Sequence, residues 1–328
     1  MRILVVSLNW RTAEMTLRSV RAALRAMEGL DAELVVVDND SGDGSFERIT
    51  QAVADEGLPV RVIQSGWNGG FGAGNNVGIR AGMADGTLPD LVYLLNSDAF
   101  PEPDAIRVLS EFLAAHPSAG IAGSRIVGED GAPHWTAFRF PSAASELEGS
   151  ARFGPLTRLL TNHKVPLGVP EAPRRVDWLA GASMMIRREV LDRVGLFDEV
   201  YFLYFEETDL CRRAAQAGFE THYVPQSRAM HIGSASTGMG RWARVPGFWL
   251  DSRWHYFTKH HGRARAMLAT GAHLLGGMLW RVRCALQRRA RMDPPHFLRD
   301  LVIHDLKAML RPLPGRDAPQ RRDDDVHV

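Results

Sequence analysis

Cysteine is nearly absent. The chain of 328 residues has two, Cys211 and Cys284, too few and too far apart for a disulfide scaffold, a thiolate metal site or a redox pair. An excess of charge of one sign is also missing. The formal net charge is +1, which removes the electrostatic footprint of a nucleic-acid binder. No hydrophobic run is long enough to cross a bilayer: the apolar stretch 266–280 contains His273 and three glycines and falls short of the roughly 20 residues a span needs. The run Ile3-Leu4-Val5-Val6 is stopped by Asn9-Trp10-Arg11 and is too short for a signal peptide. No internal repeat is visible. Two phosphate-binding signatures fail as well. A dinucleotide fold needs Gly-x-Gly-x-x-Gly directly after its first strand, where this chain has no glycine. A P-loop needs Gly-Lys-Ser/Thr, and here Gly74 is followed by Asn75-Asn76. These absences leave a cytoplasmic protein of one large or two modest domains.

What is present is an alternation of short apolar runs with helical patterns. Residues 3–8, 34–38, 60–64 and 91–95 read as strands, and 121–127 as a further one. Ala13, Leu17, Val20, Leu24 and Met27 recur at helical spacing. Residues 74–83 read as a helix, and 104–115 as another opened by an Asp104 cap. Continuous apolar strands separated by helices predict a mainly parallel sheet covered on both faces, an α/β fold. Residues 128–175 are rich in Pro, Gly, Ser and Arg with little periodicity, the pattern of an insertion or long mobile segment. Regular structure resumes with strands at 182–186 and 220–224 and helices at 188–194 and 208–217, the latter ended by Gly218. From about Phe248 the pattern is helical. Arg263, Arg265, Arg281 and Arg283 flank the apolar stretch 266–280, which suits a helix lying in a membrane surface as well as one packed on the domain. The ending "QRRDDDVHV" predicts a disordered tail.

In an open parallel sheet, ligands bind outside the C-terminal ends of the strands. Four such ends are polar, acidic or glycine-rich: Ser7, Leu8, Asn9; Asp38, Asn39, Asp40; Trp67, Asn68, Gly69, Gly70; and Asn96, Ser97, Asp98. Together they favour a nucleotide site. Asp98 closes a core strand, either as a turn cap or as a carboxylate for a divalent metal on a diphosphate. Further on, Glu206, Glu207 and Asp209 open a helix behind an aromatic run. Acids there are favoured by the helix dipole, and one held ionised could serve as a general base. His231 follows a strand and leads into a Gly/Ser loop with Ser234 and Ser236.

The pieces "VVSLNW", "LVVVDNDSGDGS", "NGGFGAGNNVGIR", "LLNSDAFPEPDA", "DWLAGASMMIRREVLDRVGLFDEVYFLYFEETDLCRRAAQAGF" and "HIGSAST", in this order over about residues 3–240, resemble the inverting glycosyltransferases of family 2. "FRFPS" resembles their bacterial rhamnosyltransferase-like members. The resemblance implies a GT-A fold: a Rossmann-like, mainly parallel sheet flanked by helices, with a helical C-terminal extension. Residues 1–245 would form the catalytic domain, with a nucleotide half (1–127) and an acceptor half (128–245). Residues 246–312 would be the extension and 313–328 the tail. Ser7, Asn9, Asp38, Asn39, Asn68, Gly69, Gly70 and Asn96 would line the nucleotide-sugar. Trp178, Gly181 and Ala182 would face donor sugar or acceptor. Asn96-Ser97-Asp98 would stand for the family's D-x-D motif, with Asn96 replacing its first acid. Asp98 and His231 would hold Mg²⁺ or Mn²⁺. The base would be Glu207, with Glu206 and Asp209 as alternatives. The implied partners are a dTDP- or UDP-sugar, first of all dTDP-rhamnose, and a glycan or polyprenol-linked acceptor of cell-wall or polysaccharide biosynthesis. The C-terminal helices would touch the inner face of the plasma membrane. Two other readings of the residues stay open: a non-catalytic binding module and a sugar nucleotidyltransferase.

Overall fold

The computed structural model describes residues 1–233, 242–291 and 293–311. Ser234, Ser236 and the tail 313–328 lie outside the described residues. In chain order the elements are β1 (Ile3–Asn9), α1 (Ala13–Ala26), β2 (Ala32–Asp38), α2 (Ser45–Asp55), β3 (Val60–Gln64), α3 (Gly70–Ala81), β4 (Leu91–Asn96), β5 (Ala99–Pro101), α4 (Ala105–Ala115) and β6 (Ala119–Val127). There follow β7 (Ala137–Phe138), α5 (Ala143–Ala151), α6 (Gly154–Leu159), a 3₁₀ turn (Thr161–His163), β8 (Arg174–Val176), β9 (Trp178–Leu179), β10 (Ser183–Arg187), α7 (Arg188–Val194), α8 (Glu206–Gln216) and β11 (Glu220–His231). The chain closes with α9 (Gly247–His261), α10 (Arg263–Leu286) and α11 (Phe297–Leu310). These divide into two compact units. One holds the sheet and comprises described residues of 1–138, 166–202 and 206–233; the other holds 139–165, 203–205 and the described residues from 242 onward.

The sheet unit has a nine-stranded sheet in the order β3-β2-β1-β4-β10-β6-β11-β5, with β8 beside β11. β1 pairs in parallel with β2 and β4, and β2 with β3. These strands read as unbroken apolar runs because both faces are covered: Leu4, Val5, Val6, Val35, Val36, Leu91, Val92 and Leu94 are all buried. Helix α1 lays Ala13, Leu17, Val20 and Ala23 into the same core as Val5, Val36 and Tyr93. The glycines of α3 have a packing purpose. A Cβ on Gly74 would come within 2.4 Å of Leu8 Cδ1, and one on Gly78 within 2.4 Å of Val6 Cγ1. The absent side chains let this helix lie close on β1, so the helix begins at Gly70 rather than at residue 74.

Four further expectations change. Strand β10 is antiparallel to both β4 and β6, a reversal that a buried apolar run does not encode. β11 continues to His231 through an irregular step between Val224 and Arg228, well past residue 224. Asp104 precedes α4 without a side-chain cap bond. The segment 128–175 is not free of regular structure: it supplies β7, α5, α6 and β8.

In the helical unit, α5 starts with a capping box in which Ser142 and Ser145 bond reciprocally. Two of the three glycines that interrupt the apolar stretch of α10 are contact points. A Cβ on Gly276 would sit 2.1 Å from Ser150 Oγ of α5, and one on Gly277 2.8 Å from Leu298 of α11. Arg253 of α9, 1% exposed, is neutralised by Glu146 (2.8 Å) and Asp305 (3.0 Å). His273 reaches the same Glu146 at 2.8 Å, and His304 bonds both Asp305 and Asp251. Among the described residues, no helix is long and apolar enough to cross a membrane.

Candidate active site

The C-terminal ends of β1, β2 and β3 are joined by a lattice of polar side chains. Asn9 donates from Nδ2 to Asp38 Oδ1 (2.6 Å) and accepts from Thr16 Oγ1 (2.6 Å). Asp38 is fully buried and also accepts from Ser41 Oγ (2.6 Å) and Ser41 N (3.1 Å). This is an Asx-type turn, signalled in the sequence by a Ser three residues after the Asp. The Ser41 hydroxyl in turn accepts from Arg11 N at 2.9 Å. Asn39 donates to Asn68 Oδ1 (2.8 Å) and Gly70 O (3.2 Å), while Gly70 N donates to Asn68 Oδ1 (3.0 Å). Asn39 Oδ1 and Ser7 Oγ are buried without a partner among the described residues. Gly69 lies against the Trp67 ring, and Gly70, at φ +83, against the Phe202 carbonyl. Thr12 and Thr16 belong to this edge, both donating to Asn9 Oδ1, and were not singled out by sequence reasoning.

At the end of β4, Asp98 Oδ1 meets His231 Nε2 at 2.9 Å, across 133 residues of chain. The extra length of β11 accounts for this meeting, and Ile232 N donates to Asp98 O at 3.1 Å beside it. Asp98 therefore does not act as a plain turn cap. Asn96 Nδ2 lies 3.4 Å from the same imidazole nitrogen, and Asn96 Oδ1 is buried with no partner among the described residues. A buried acceptor with nothing to accept is costly. An orphaned amide oxygen next to a carboxylate and an imidazole is a donor set that a divalent cation would satisfy. Among the described residues no cluster of three or more His, Cys, Asp and Glu side chains is arranged to hold a metal. The protein thus offers few ligands, and phosphate oxygens and water would have to complete the set.

The acids of α8 separate by environment. Asp209 is fully buried and bound to Arg213 at 2.7 Å. Arg213 also donates to Val194 O (2.6 Å) and Leu196 O (2.9 Å). Asp209 thus anchors the helix to the preceding loop through Arg213. Glu206 is buried, with Oε2 unpartnered among the described residues; burial, aided by the charge of Glu207, pushes its carboxyl well above the usual range. Burial raises Glu207 too, opposed by backbone N–H groups of Glu207 and Gly181. Glu207 Oε2 is without a partner among the described residues. A Cβ on Gly181 would lie 3.1 Å from the Phe71 ring, a tight fit that favours the small residue. The next residue, Ala182, accepts from Asn96 N at 3.1 Å. Two adjacent residues, Gly181 and Ala182, therefore bond the Glu207 carboxylate on one side and the Asn96 end of β4 on the other.

The loop that leads to α8 is fastened to α3. Asn76, fully buried, donates to Phe197 O (2.9 Å) and Glu199 Oε1 (2.8 Å) and accepts from Phe197 N (3.0 Å). Phe71 N donates to Phe202 O at 2.9 Å. Asn76 and Glu199 are positioning residues that the sequence reading passed over. The residues just before α8, Tyr204 and Phe205, hold φ +70 and +71, a strained choice for aromatic side chains.

A family model described as glycosyltransferase-like family 2 matches residues 2–245. The chain belongs to glycosyltransferase family 2. It is similar to an N-acetylglucosaminyl-diphospho-decaprenol L-rhamnosyltransferase of Mycobacterium tuberculosis, 29% identical over 277 residues, 79% of this chain and 86% of that one. It is also similar to the rhamnosyltransferase WbbL of Escherichia coli K12, 30% identical over 49% of this chain and 60% of that one. Among solved structures, the mannosyltransferase PcManGT of Pyrobaculum calidifontis, in complex with GDP-Man and Mn²⁺, superposes with a TM-score of 0.54. That alignment covers 94% of this chain and 87% of the other at 14% identity, so the likeness is one of fold. In this glycosyltransferase the GT-A type of architecture is therefore a mixed, mostly parallel sheet with helices on both faces. Trp178 stacks on Phe138 at 4.2 Å between ring centroids, across the β7–β9 pair. This aromatic plate lies two residues before Ala180 and three before Gly181.

Proposed function

We propose that the enzyme transfers a sugar from a nucleoside diphosphate donor to an acceptor hydroxyl with inversion, with Glu207 as the base. The observation that carries this is the Gly181-Ala182 step, which bonds the Glu207 carboxylate and the Asn96–Asp98 strand end from neighbouring residues. Family membership favours catalysis over a binding module or a nucleotidyltransferase. Glu207 takes the proton of the acceptor hydroxyl. That oxygen bonds to the anomeric carbon from the face opposite the leaving group as the bond to the diphosphate oxygen breaks. A base with a raised pKa is suited to proton transfer near neutral pH. Asp38 Oδ2, which holds only Ser41 N, has acceptor capacity left for a base or ribose of the donor. Asn9, Asn39, Asn68, Gly69 and Gly70 shape that end of the pocket, and Trp178 faces donor sugar or acceptor.

Asp98, Asn96 and His231 would hold a divalent cation. When bound, it would supply positive charge to the departing diphosphate. The imidazole in the set favours Mn²⁺ over Mg²⁺, which prefers oxygen ligands. Mn²⁺ in the complex of the PcManGT neighbour supports a metal in this fold.

For the donor, dTDP-rhamnose comes first and UDP-hexoses second. The names of the relatives support this: the decaprenol L-rhamnosyltransferase, and a dTDP-rhamnosyl transferase of Shigella flexneri that is 21% identical over 67% of this chain. The acceptor is a glycan or polyprenol-linked saccharide, which would bring the enzyme to a membrane surface. The test is transfer from labelled dTDP-rhamnose and UDP-sugars, together with Glu207→Gln. Turnover is expected to fall by about 10²–10⁴-fold with nucleotide affinity kept. Near-normal turnover in Glu207→Gln would take the base role from Glu207.

A further inference from the structure

Helix α10 has two faces. Ala266, Ala269, Thr270, Gly276, Gly277, Trp280 and Cys284 are buried. On the opposite side Leu268, Leu275, Met278, Leu279, Val282 and Leu286 are between 36% and 80% exposed. Their spacing of three, four and seven residues forms one stripe along a helix of 3.6 residues per turn. On the same wheel Arg265 and Arg283 border the stripe on one side, and Arg263 and Arg281 on the other. The neighbouring helix α11 presents a second apolar row, Ile303, Leu306 and Leu310. Arg263 ties the two helices together by donating to Met309 O and Arg311 O.

Along α10 and the segment that follows it the charge is of one sign, and the acids of α11, Asp300 and Asp305, are buried in ion pairs. From residue 263 to 292 the chain has seven arginines and no Asp or Glu. That pattern selects the occupant. A second copy seated on the stripe would set arginine borders against arginine borders. A peptide partner would need an acidic rim around an apolar centre. An anionic bilayer offers both at once: acyl chains for the leucines and phosphates for the arginines. We infer that the α10–α11 face is a docking surface for an anionic membrane, on which the helices lie without crossing. This inference deepens the functional reading by naming where a lipid-carried acceptor would be met, and it can be tested separately from transfer.

The experiment is co-sedimentation of the full chain with vesicles of phosphatidylcholine alone and of phosphatidylcholine mixed with phosphatidylglycerol. Binding is expected only to the second, and it should fall as salt rises. The triple variant Leu275→Gln/Leu279→Gln/Val282→Gln changes exposed side chains only and should weaken binding about tenfold or more. Arg288→Gln/Arg289→Gln should weaken binding as well and reduce its salt dependence. Absence of binding to the anionic vesicles, or equal binding by the triple variant, overturns the inference. A dimer of the parent chain that the triple variant dissociates also overturns it, in favour of a second copy. Transfer to a water-soluble acceptor should survive in the triple variant. Failure of transfer by the parent chain, with vesicle binding intact, counts against the functional reading and leaves the docking surface standing.

Discussion

Asn76→Ala tests whether the α3 brace sets the position of the catalytic acids. The side chain is fully buried and satisfies both backbone groups of Phe197, at 2.9 and 3.0 Å, besides Glu199 at 2.8 Å. Alanine leaves the Phe197 N–H and C=O without partners. Each orphaned buried group costs about 1–3 kcal/mol, so the loop loses about 2–6 kcal/mol of local stability relative to its opened state. Arg80, paired with Glu199 at 2.7 Å, holds one remaining point and Phe71–Phe202 another. The expected outcome is a loop that opens locally while the sheet stays folded. Hydrogen exchange at the Phe197 amide should speed up about 30-fold or more, as 2 kcal/mol implies. The turnover number should drop, because Glu207 follows this loop in the chain, and nucleotide affinity should change little. Asn76→Asp keeps one acceptor for Phe197 N and should recover part of the protection. If exchange at Phe197 and turnover both match the parent chain, the brace has no role. If nucleotide affinity falls in step with turnover, the damage lies in the sheet edge and not in the loop.

Four further substitutions have defined signs. Glu206 is a buried acid with its pKa raised, so its contribution to stability is complete below the unfolded carboxylate pKa and is lost as pH rises through the folded value. Glu206→Gln should therefore gain stability over the parent chain in alkaline solution and none in acid, as read by denaturant midpoints across pH. Arg253→Met leaves Glu146 and Asp305 buried without their cation and should cost about 3–5 kcal/mol, seen as a lower unfolding midpoint of the helical unit. Glu146 itself feels burial, which would raise its pKa, but Arg253 and His273 bring it down to about 2. Its stabilisation is present above the unfolded carboxylate pKa and is lost as pH falls towards that value. His304 behaves oppositely: burial would lower it, but Asp251 and Asp305 bring it to about 9. The stability it adds is complete below its unfolded pKa of 6.5 and should fade as pH climbs to about 9, so unfolding midpoints of His304→Gln should approach the parent's in alkaline solution. Gly70→Ala places a Cβ 1.7 Å from the Phe202 carbonyl at φ +83, and should be recovered as less folded protein with a clearly lower melting temperature.

The strand ends were legible because a buried parallel strand is an unbroken apolar run, and any polar residue that closes it stands out. Asn9, Asp38, Asn96 and Asp98 were found in this way. Glu206 and Glu207 were visible because three acids exceed what a helix start needs. Other features follow from partners that are distant in sequence. No local pattern says that Ala182 would accept from Asn96, or that Asp209 would be consumed by Arg213 four residues on and by the loop beyond it. The glycines of α3 look like a ligand loop in sequence, yet Gly74 and Gly78 are small because Leu8 and Val6 press against them. The reversed direction of β10 was hidden for the same reason that β4 was easy to see: a strand buried on both faces carries no record of its direction. Helix α5 was hidden among Ser, Gly and Glu, since its stabilisation comes from Gly276 and its neighbours on α10.

The reversal of β10 divides the labour between the two rims of the sheet. Because Ser183 pairs with Leu95 and Arg187 with Leu91, the entry to β10 arrives on the rim where β4 leaves. One rim thus collects the exits of β1, β2 and β4 together with an entrance, and so gains an additional backbone segment, Gly181-Ala182, without lengthening any loop. The other rim, with the starts of β1 and β4 and the exposed Asp85-Gly86-Thr87 turn, holds none of the candidate site residues. That turn is where a fluorescent protein or an affinity handle could be spliced into the chain with turnover preserved, whereas the same graft between β9 and β10 would break the enzyme at its centre.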